Sequence, residues 1–289
     1  MTDTARVRTS APARWLVRDT LFSASEPVHV GIINVTPDSF HDGGRHDDAD
    51  SALRRAQELL ADGAHIVDVG AESTRPGADD VASGDQLRRI GPLVAKLSAA
   101  GALVSIDTRN PEVAARALED GAAVINDVSG LADPEMARVV ASFGASLVIM
   151  HTKGNPKTMQ KEPSYDDVVG EVSAFLEERL AHAIEAGVPP GKIAIDPGIG
   201  FGKRLRDNLD LLRNLGALAR MAPVMIGVSR KSFLGALGAG EKPADRLAGS
   251  LAASVIAWRN GARIFRTHDV LETRRAIEVA RALDPESAS

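Results

Sequence analysis

One punctuation recurs along this chain. Helix-like stretches stop at Gly63-Ala64, Gly121-Ala122, Gly144-Ala145, Gly187-Val188 and Gly261-Ala262, and an apolar run follows each stop. A glycine just past the last helical residue accepts the left-handed conformation that closes a helix. Short β-branched runs bounded in this way read as buried strands. Eight such runs are expected, at 28–33, 65–69, 103–106, 123–125, 146–150, 192–195, 223–227 and 263–266. Segments rich in Ala, Leu, Glu and Arg separate them, among them 50–61, 112–119, 166–185 and 243–259. Strand–helix alternation implies a parallel sheet. Eight units in 289 residues fit an α/β single-domain fold, the (β/α)8 or TIM barrel, for which ~250 residues is typical. A doubly wound open sheet is the main rival. An N-terminal extension is expected at 1–25, the barrel at 26–284 and a C-terminal tail at 285–289. No linker or shift in composition marks a second domain.

Composition narrows the chemistry. The chain has no cysteine, which excludes disulfides, a thiolate nucleophile, iron–sulfur clusters and thiolate zinc sites. Its 34 basic and 39 acidic residues leave a net charge of −5, which argues against a general affinity for nucleic acid. No apolar run approaches the ~20 residues of a membrane-spanning helix, and the arginine-bearing N-terminus lacks the apolar core of a signal peptide. A cytoplasmic protein is expected, without nucleic-acid or membrane partners. The seven histidines show no zinc spacing. Gly198-Ile199-Gly200-Phe201-Gly202-Lys203 resembles a phosphate loop but fails its pattern, because Pro197 and Arg204 stand at the wrong places; its glycines are expected to allow a tight loop near a ligand. Two helix starts are legible. Asn110 before Pro111 suits a cap and a first helical residue, and Asp269 with Glu272 has capping-box spacing.

In a barrel of this kind catalysis sits at the C-terminal ends of the strands. The polar residues that follow the eight runs are, in order, Asn34, Glu72, Asp107, Asn126-Asp127, His151, Asp196, Ser229-Arg230-Lys231-Ser232 and Arg266-Thr267-His268-Asp269. A strand end is often polar for structural reasons alone, but eight on one rim point to an active site. Asn34, Asp107, Asn126 and Asp196 suit a flat, nitrogen-rich heterocycle, since each buried polar edge needs a partner. Lys231, Arg266 and His268 add positive charge after the last two strands, where phosphate sites are frequent in this fold.

The motifs carrying these residues resemble those of the dihydropteroate synthase family. Gly31-Ile32-Ile33-Asn34-Val35-Thr36-Pro37-Asp38-Ser39-Phe40, followed by Asp42-Gly43-Gly44, is similar to its first signature. Asp68-Val69-Gly70-Ala71-Glu72-Ser73-Thr74-Arg75-Pro76-Gly77 is similar to its second. Ser105-Ile106-Asp107-Thr108, Ile125-Asn126-Asp127, Met150-His151 with Gly154-Asn155-Pro156, Asp196-Pro197-Gly198, Ser229-Arg230-Lys231-Ser232 and Arg266-Thr267-His268-Asp269 follow in the family's order. Ala71 and His41 depart from residues common in the family.

The resemblance implies a transferase that condenses 6-hydroxymethyl-7,8-dihydropterin pyrophosphate with p-aminobenzoate, giving dihydropteroate and pyrophosphate in folate synthesis. It implies Mg²⁺ as cofactor, a homodimer, and inhibition by sulfonamides. By match of position, Asp107, Asn126, Asp196 and Lys231 would hold the pterin. Asn34, Arg266 and His268 would bind pyrophosphate, and Asn34 and Asp42 would meet the metal. Phe40, Thr74, Arg75, Pro76, Phe201, Lys231 and Ser232 would shape the p-aminobenzoate pocket. Asn34, Asp42, Arg75, Lys231, Arg266 and His268 would serve the chemical step. A methyltetrahydrofolate–corrinoid methyltransferase would share the pterin contacts, but not the Thr-Arg-Pro-Gly loop or the Arg-x-His ending. A non-catalytic paralogue would be expected to lose Asp42, Arg75 or Lys231, and all are present.

Overall fold

The computed structural model describes residues 14–23, 25–35, 45–72, 81–154, 163–238 and 240–284, with the side chains of 45–49 left aside. Phe40, His41, Asp42, Thr74, Arg75 and Pro76 lie outside the described residues. Two short strands, β1 (Trp15–Val17) and β2 (Thr20–Phe22), form an antiparallel hairpin. Eight parallel strands follow: β3 (Val28–Asn34), β4 (Ile66–Gly70), β5 (Leu103–Asp107), β6 (Val124–Asp127), β7 (Ser146–Met150), β8 (Ile193–Asp196), β9 (Met225–Ile226) and β10 (Ile264–Thr267). Their order is β8-β7-β6-β5-β4-β3-β10-β9. A bridge from Ile195 to Val224 joins the two ends of that order and closes the barrel. The open-sheet alternative is thereby excluded.

β9 is shorter than the expected 223–227 run. Pro223 has no N–H to give to a ladder, so the strand contributes there only through its carbonyl, which accepts from Ile195 N at 2.9 Å. The glycine stops behave as their chemistry requires: Gly63, Gly121, Gly144, Gly187 and Gly261 all have positive φ. Each returns the chain from a helix into the next strand within two to six residues.

Side chains alternate across the barrel wall. Outward-facing Ile33, Val67, Val69, Ile106, Ile125, Leu147, Ile149 and Ile195 pack with the helix layer. Inward-facing Val28, Val30, Ile66, Val124, Val148, Ala194, Met225 and Ile264 form a separate core with Trp15 and Val17. The hairpin, part of the segment expected as an extension, therefore plugs the floor of the barrel. Trp15 Nε1 donates to Lys192 O at 3.2 Å, and Ser146 Oγ donates to Leu16 O at 2.8 Å. With its floor filled, the barrel is open to a ligand from the C-terminal ends of its strands.

The helices on the outside are, among the described residues, α1 (Arg45–Ala61), α2 (Ser83–Ala99), α3 (Pro111–Glu119), α4 (Glu135–Ser142), α5 (Val168–Glu185), α6 (Leu205–Arg213), α7 (Leu215–Ala219), α8 (Ser232–Leu237), α9 (Leu247–Arg259) and α10 (Val270–Ala282). Asn110 caps α3 as expected, its Oδ1 accepting from Glu112 N at 2.9 Å and Val113 N at 3.3 Å. The capping box expected for Asp269 and Glu272 does not form, since no side chain caps α10. Arg230 takes the Asp269 carboxylate instead, Nε donating to Oδ2 at 3.0 Å and Nη2 to Oδ1. A charge-assisted fork of this kind outcompetes a single neutral N–H for the same oxygens.

Candidate active site

Register brings the polar strand ends to one level. Asn34 pairs with Gly70, Gly70 with Asp107, and Asp107 with Asn126 across four consecutive strands. Gly70 keeps that level open. A Cβ there would lie 3.5 Å from Asp107 Cβ and 3.9 Å from Asn34 Oδ1. On the other side of the ring Asp196 ends β8 beside Met150 of β7. Asp107, Asn126 and Asp196 are all buried, and Asn34 is half-buried.

Arg266, from β10, reaches across this level. Its Nε donates to Asp68 Oδ2 and its Nη2 to Asp107 Oδ2, each at 2.7 Å. Asp68 belongs to β4, one inward position below Gly70, and is 1% exposed. Its role is not legible from the motif that carries it. The available signal was the alternation in Asp68-Val69-Gly70, which puts its carboxylate on the same inner face as the gap at Gly70. Burial opposes the charge on Arg266, but the two carboxylates more than restore it. Burial pushes Asp107 up to about 7 against the pull of Arg266, and Asp68 and Glu72 push it the same way.

The buried acceptors are only partly satisfied. Asp68 Oδ1, Asp107 Oδ1 and Asn126 Oδ1 have no hydrogen-bond partner among the described residues. Leaving a buried acceptor without a donor costs about 1–3 kcal/mol. Three together describe a site built to receive N–H groups. Asp196 adds a third carboxyl, whose Oδ1 accepts from Gly198 N at 2.7 Å. Burial raises Asp196, while Lys231 and the Gly198 N–H oppose the shift. Asp127, next to Asn126, serves the backbone instead: its carboxylate takes Ser129 N at 2.8 Å, Ser129 Oγ at 2.6 Å and Leu131 N at 2.8 Å.

The cations come from the last loops. Lys231 Nζ donates to Ile199 O and lies 4.6 Å from the centre of the Phe201 ring. Burial draws Lys231 down to about 8, with Asp196 opposing. His268 Nδ1 lies 3.0 Å from Ser229 Oγ, so it shares a tie with the loop that carries Lys231. Ser232 begins α8 immediately after Lys231. The structure thus gathers Asn34, Asp107, Asn126, Asp196, Phe201, Lys231, Ser232, Arg266 and His268 at one end of the barrel.

The glycines of the β8 loop allow the tight turn expected of them, with positive φ at Gly198, Gly200 and Gly202, and two of them pass close to this chain's own backbone: a Cβ on Gly198 would fall 1.9 Å from His151 O, and one on Gly202 would fall 2.3 Å from Lys153 O. Only Gly200 faces a site residue, with Lys231 Cδ 3.3 Å from its would-be Cβ. His151 is 5% exposed and pairs with Lys203 rather than standing open at the rim. Ala71 fits without strain; it is buried and has no positive φ.

A segment from residue 30 to residue 268 matches the family described as pterin binding enzyme. The chain belongs to the dihydropteroate synthase family of pterin-binding enzymes. The dihydropteroate synthase of Escherichia coli strain K12 is 43% identical over 265 residues, 91% of this chain and 94% of that protein. The Xanthomonas albilineans dihydropteroate synthase solved with 4-aminobenzoic acid superposes with a TM-score of 0.88 at 41% identity, covering 95% of this chain and 98% of the other. The Yersinia pestis dihydropteroate synthase in complex with a sulfonamide drug gives 0.87 at 39% identity, covering 93% and 98%. A corrinoid methyltransferase role is not what these relatives perform, and the family is a transferase family.

Proposed function

We propose that the barrel mouth divides the dihydropteroate synthase reaction among three sets of residues. The observation that carries the assignment is the trio of unpaired buried oxygens on Asp68, Asp107 and Asn126, beside the Asp196 carboxyl. A dihydropterin ring presents amidine-like N–H groups along one edge, and these would satisfy such acceptors. Asp196 takes the charge-assisted pair. Lys231, held between Ile199 O and Phe201, faces the same ring.

The pyrophosphate end lies with Asn34, Arg266 and His268. The C–O bond between the pterin CH₂ and pyrophosphate breaks, and the pterin spreads the resulting positive charge. The amine of p-aminobenzoate then forms the C–N bond and loses a proton. Arg266 and His268 stabilise the charge that grows on the departing group. Mg²⁺ fits the donor set: it prefers one or two protein oxygens with phosphate and water completing its shell. Asn34 Oδ1 would supply one, and Asp42, outside the described residues, would supply the second. The metal's contribution when bound is to neutralise the leaving pyrophosphate.

Phe201 and Ser232, with Phe40, Thr74, Arg75 and Pro76 from loops outside the described residues, form the p-aminobenzoate pocket. Glu72, just before the segment bearing Thr74 to Pro76, accepts from Val81 N at 3.0 Å and pairs with Arg109 at 3.1 Å. In this reading the protein works in the cytoplasm as a homodimer. Helix α9 turns Ser250, Ser254 and Trp258 inward yet leaves Ile256 50% exposed, and Leu237 on α8 is 54% exposed. A cavity of about 420 Å³ lies between α6, α8 and α9 beside these residues. A second copy is the natural cover for that face.

Purified protein given dihydropterin pyrophosphate, p-aminobenzoate and Mg²⁺ should release pyrophosphate and form dihydropteroate, and a chelator should stop it. Asp196→Ala should weaken pterin binding by about 1–3 kcal/mol; wild-type affinity in calorimetry would overturn the pterin slot. A simple sulfonamide should compete with p-aminobenzoate and not with the pterin substrate. Inhibition that p-aminobenzoate fails to relieve would overturn the pocket assignment.

A further inference from the structure

Lys203 closes the loop after β8 and takes no part in the roles assigned above. It is 3% exposed, and a buried ammonium must find acceptors. It finds His151 Nδ1 at 2.8 Å, Phe201 O at 3.0 Å and His151 O at 3.5 Å. With lysine donating, Nδ1 of His151 is the acceptor, which places the ring proton on Nε2. Burial and the Lys203 charge draw His151 down to about 3, so the imidazole stays neutral. The ring also packs edge-on against Phe175, centroids 4.9 Å apart. The pair ties the end of β7 to the far half of the β8 loop.

The two halves of that loop have separate anchors. Its near half is held at Asp196, through Gly198 N. Its far half is held by Lys203 at Phe201 O, by Tyr165, whose hydroxyl donates to Gly202 O at 2.8 Å, and by Asn208, whose Oδ1 accepts from Gly200 N at 2.7 Å. Phe201 rides on the far half, with its ring against the Lys231 ammonium.

We propose that Lys203 and His151 are a positioning pair that holds the Phe201 half of the β8 loop and so sets the shape of the aryl-amine pocket without touching substrate. The inference rests on the reading that Phe201 lines the p-aminobenzoate pocket. It separates the two substrates: losing the Lys203 ammonium loosens the pocket for the amine and leaves the pterin slot, anchored at Asp196, in place.

Lys203→Met keeps the stem and removes the ammonium. The KM for p-aminobenzoate should rise about tenfold with little change in kcat, as when binding shared by ground and transition states is lost. The Kd for the pterin pyrophosphate, read by calorimetry, should stay within about twofold of wild type, because those contacts are untouched. Equal weakening of both substrates, or no change in either, overturns the proposal. If Lys203→Met does not fold, His151→Leu and His151→Asn ask the same question, since the Asn side-chain oxygen replaces the Nδ1 acceptor. Leucine should reproduce the KM rise and asparagine should largely rescue it; identical behaviour of the two would overturn the pairing. Wild-type protein that forms no dihydropteroate would overturn the functional reading and this inference with it, whereas an active wild type with unaltered variants overturns this inference alone.

Discussion

His29 shows what burial does to a single residue outside the active site. It lies in β3, 1% exposed, stacked on His65 with ring centroids 5.7 Å apart. Its Nδ1 has no partner among the described residues, while His65 Nδ1 accepts from His29 N at 3.0 Å. Burial, reinforced by His65 and Arg274, draws His29 down to about 4. The unfolded chain therefore takes up a proton near pH 6.5 that the folded chain refuses until about pH 4. Stability from this residue is fully present above that window and is lost as pH falls through it, by roughly 3 kcal/mol at the lower end. Urea midpoints of wild type should drop between pH 6.5 and 4.5, and those of His29→Leu should drop less. Parallel curves would assign the acid sensitivity elsewhere, to His151 or His65. At the mouth the same physics is used differently: Arg266 keeps two buried carboxylates company, and the oxygens left over become the site.

Among the elements, the helix starts separate local from tertiary control. Asn110 caps α3 because its side chain, its extended backbone and Pro111 agree on one conformation. Asn110→Ala should cost about 1 kcal/mol in chemical unfolding, with kinetic constants unchanged. A loss near zero would mean that water replaces the cap fully. Asp269 has the right spacing too, yet it is drawn away by Arg230, itself held at positive φ. That pair and the Ser229–His268 contact tie the β9 loop, which carries Lys231, to the β10 loop, which carries His268. The β8 loop is an element shaped by its neighbours: Gly198 and Gly202 exist to pass close to the carbonyls of His151 and Lys153, and loop length alone could not reveal that.

For the whole molecule, the closed barrel pairs a polar opening with an apolar outer face on α8 and α9. The opening is where Asp68, Asp107, Asn126, Asp196, Arg266 and Lys231 converge. The outer face, around Leu237 and Ile256, is the surface a second copy would bury. Ile256→Arg should shift sedimentation from dimer toward monomer while leaving the strand-end residues in place. A wild-type monomer at micromolar concentration, or a variant that stays dimeric, would remove this face from the proposal.

By itself the sequence determined the order of strands and helices, because periodicity and glycine stops are local signals that each run of residues carries alone. It also determined the family, and it pointed to nine candidate residues that the fold brings to one mouth, since strand ends of a parallel barrel share a face whatever the packing details. Only the tertiary structure decided that residues 15–22 plug the floor, that Asp68 joins Arg266 from 198 positions away, that Asp269 serves Arg230 instead of a helix, and that His151 belongs to Lys203. Each of those is a contest for a partner between groups distant in sequence, settled by burial and charge once the barrel has closed.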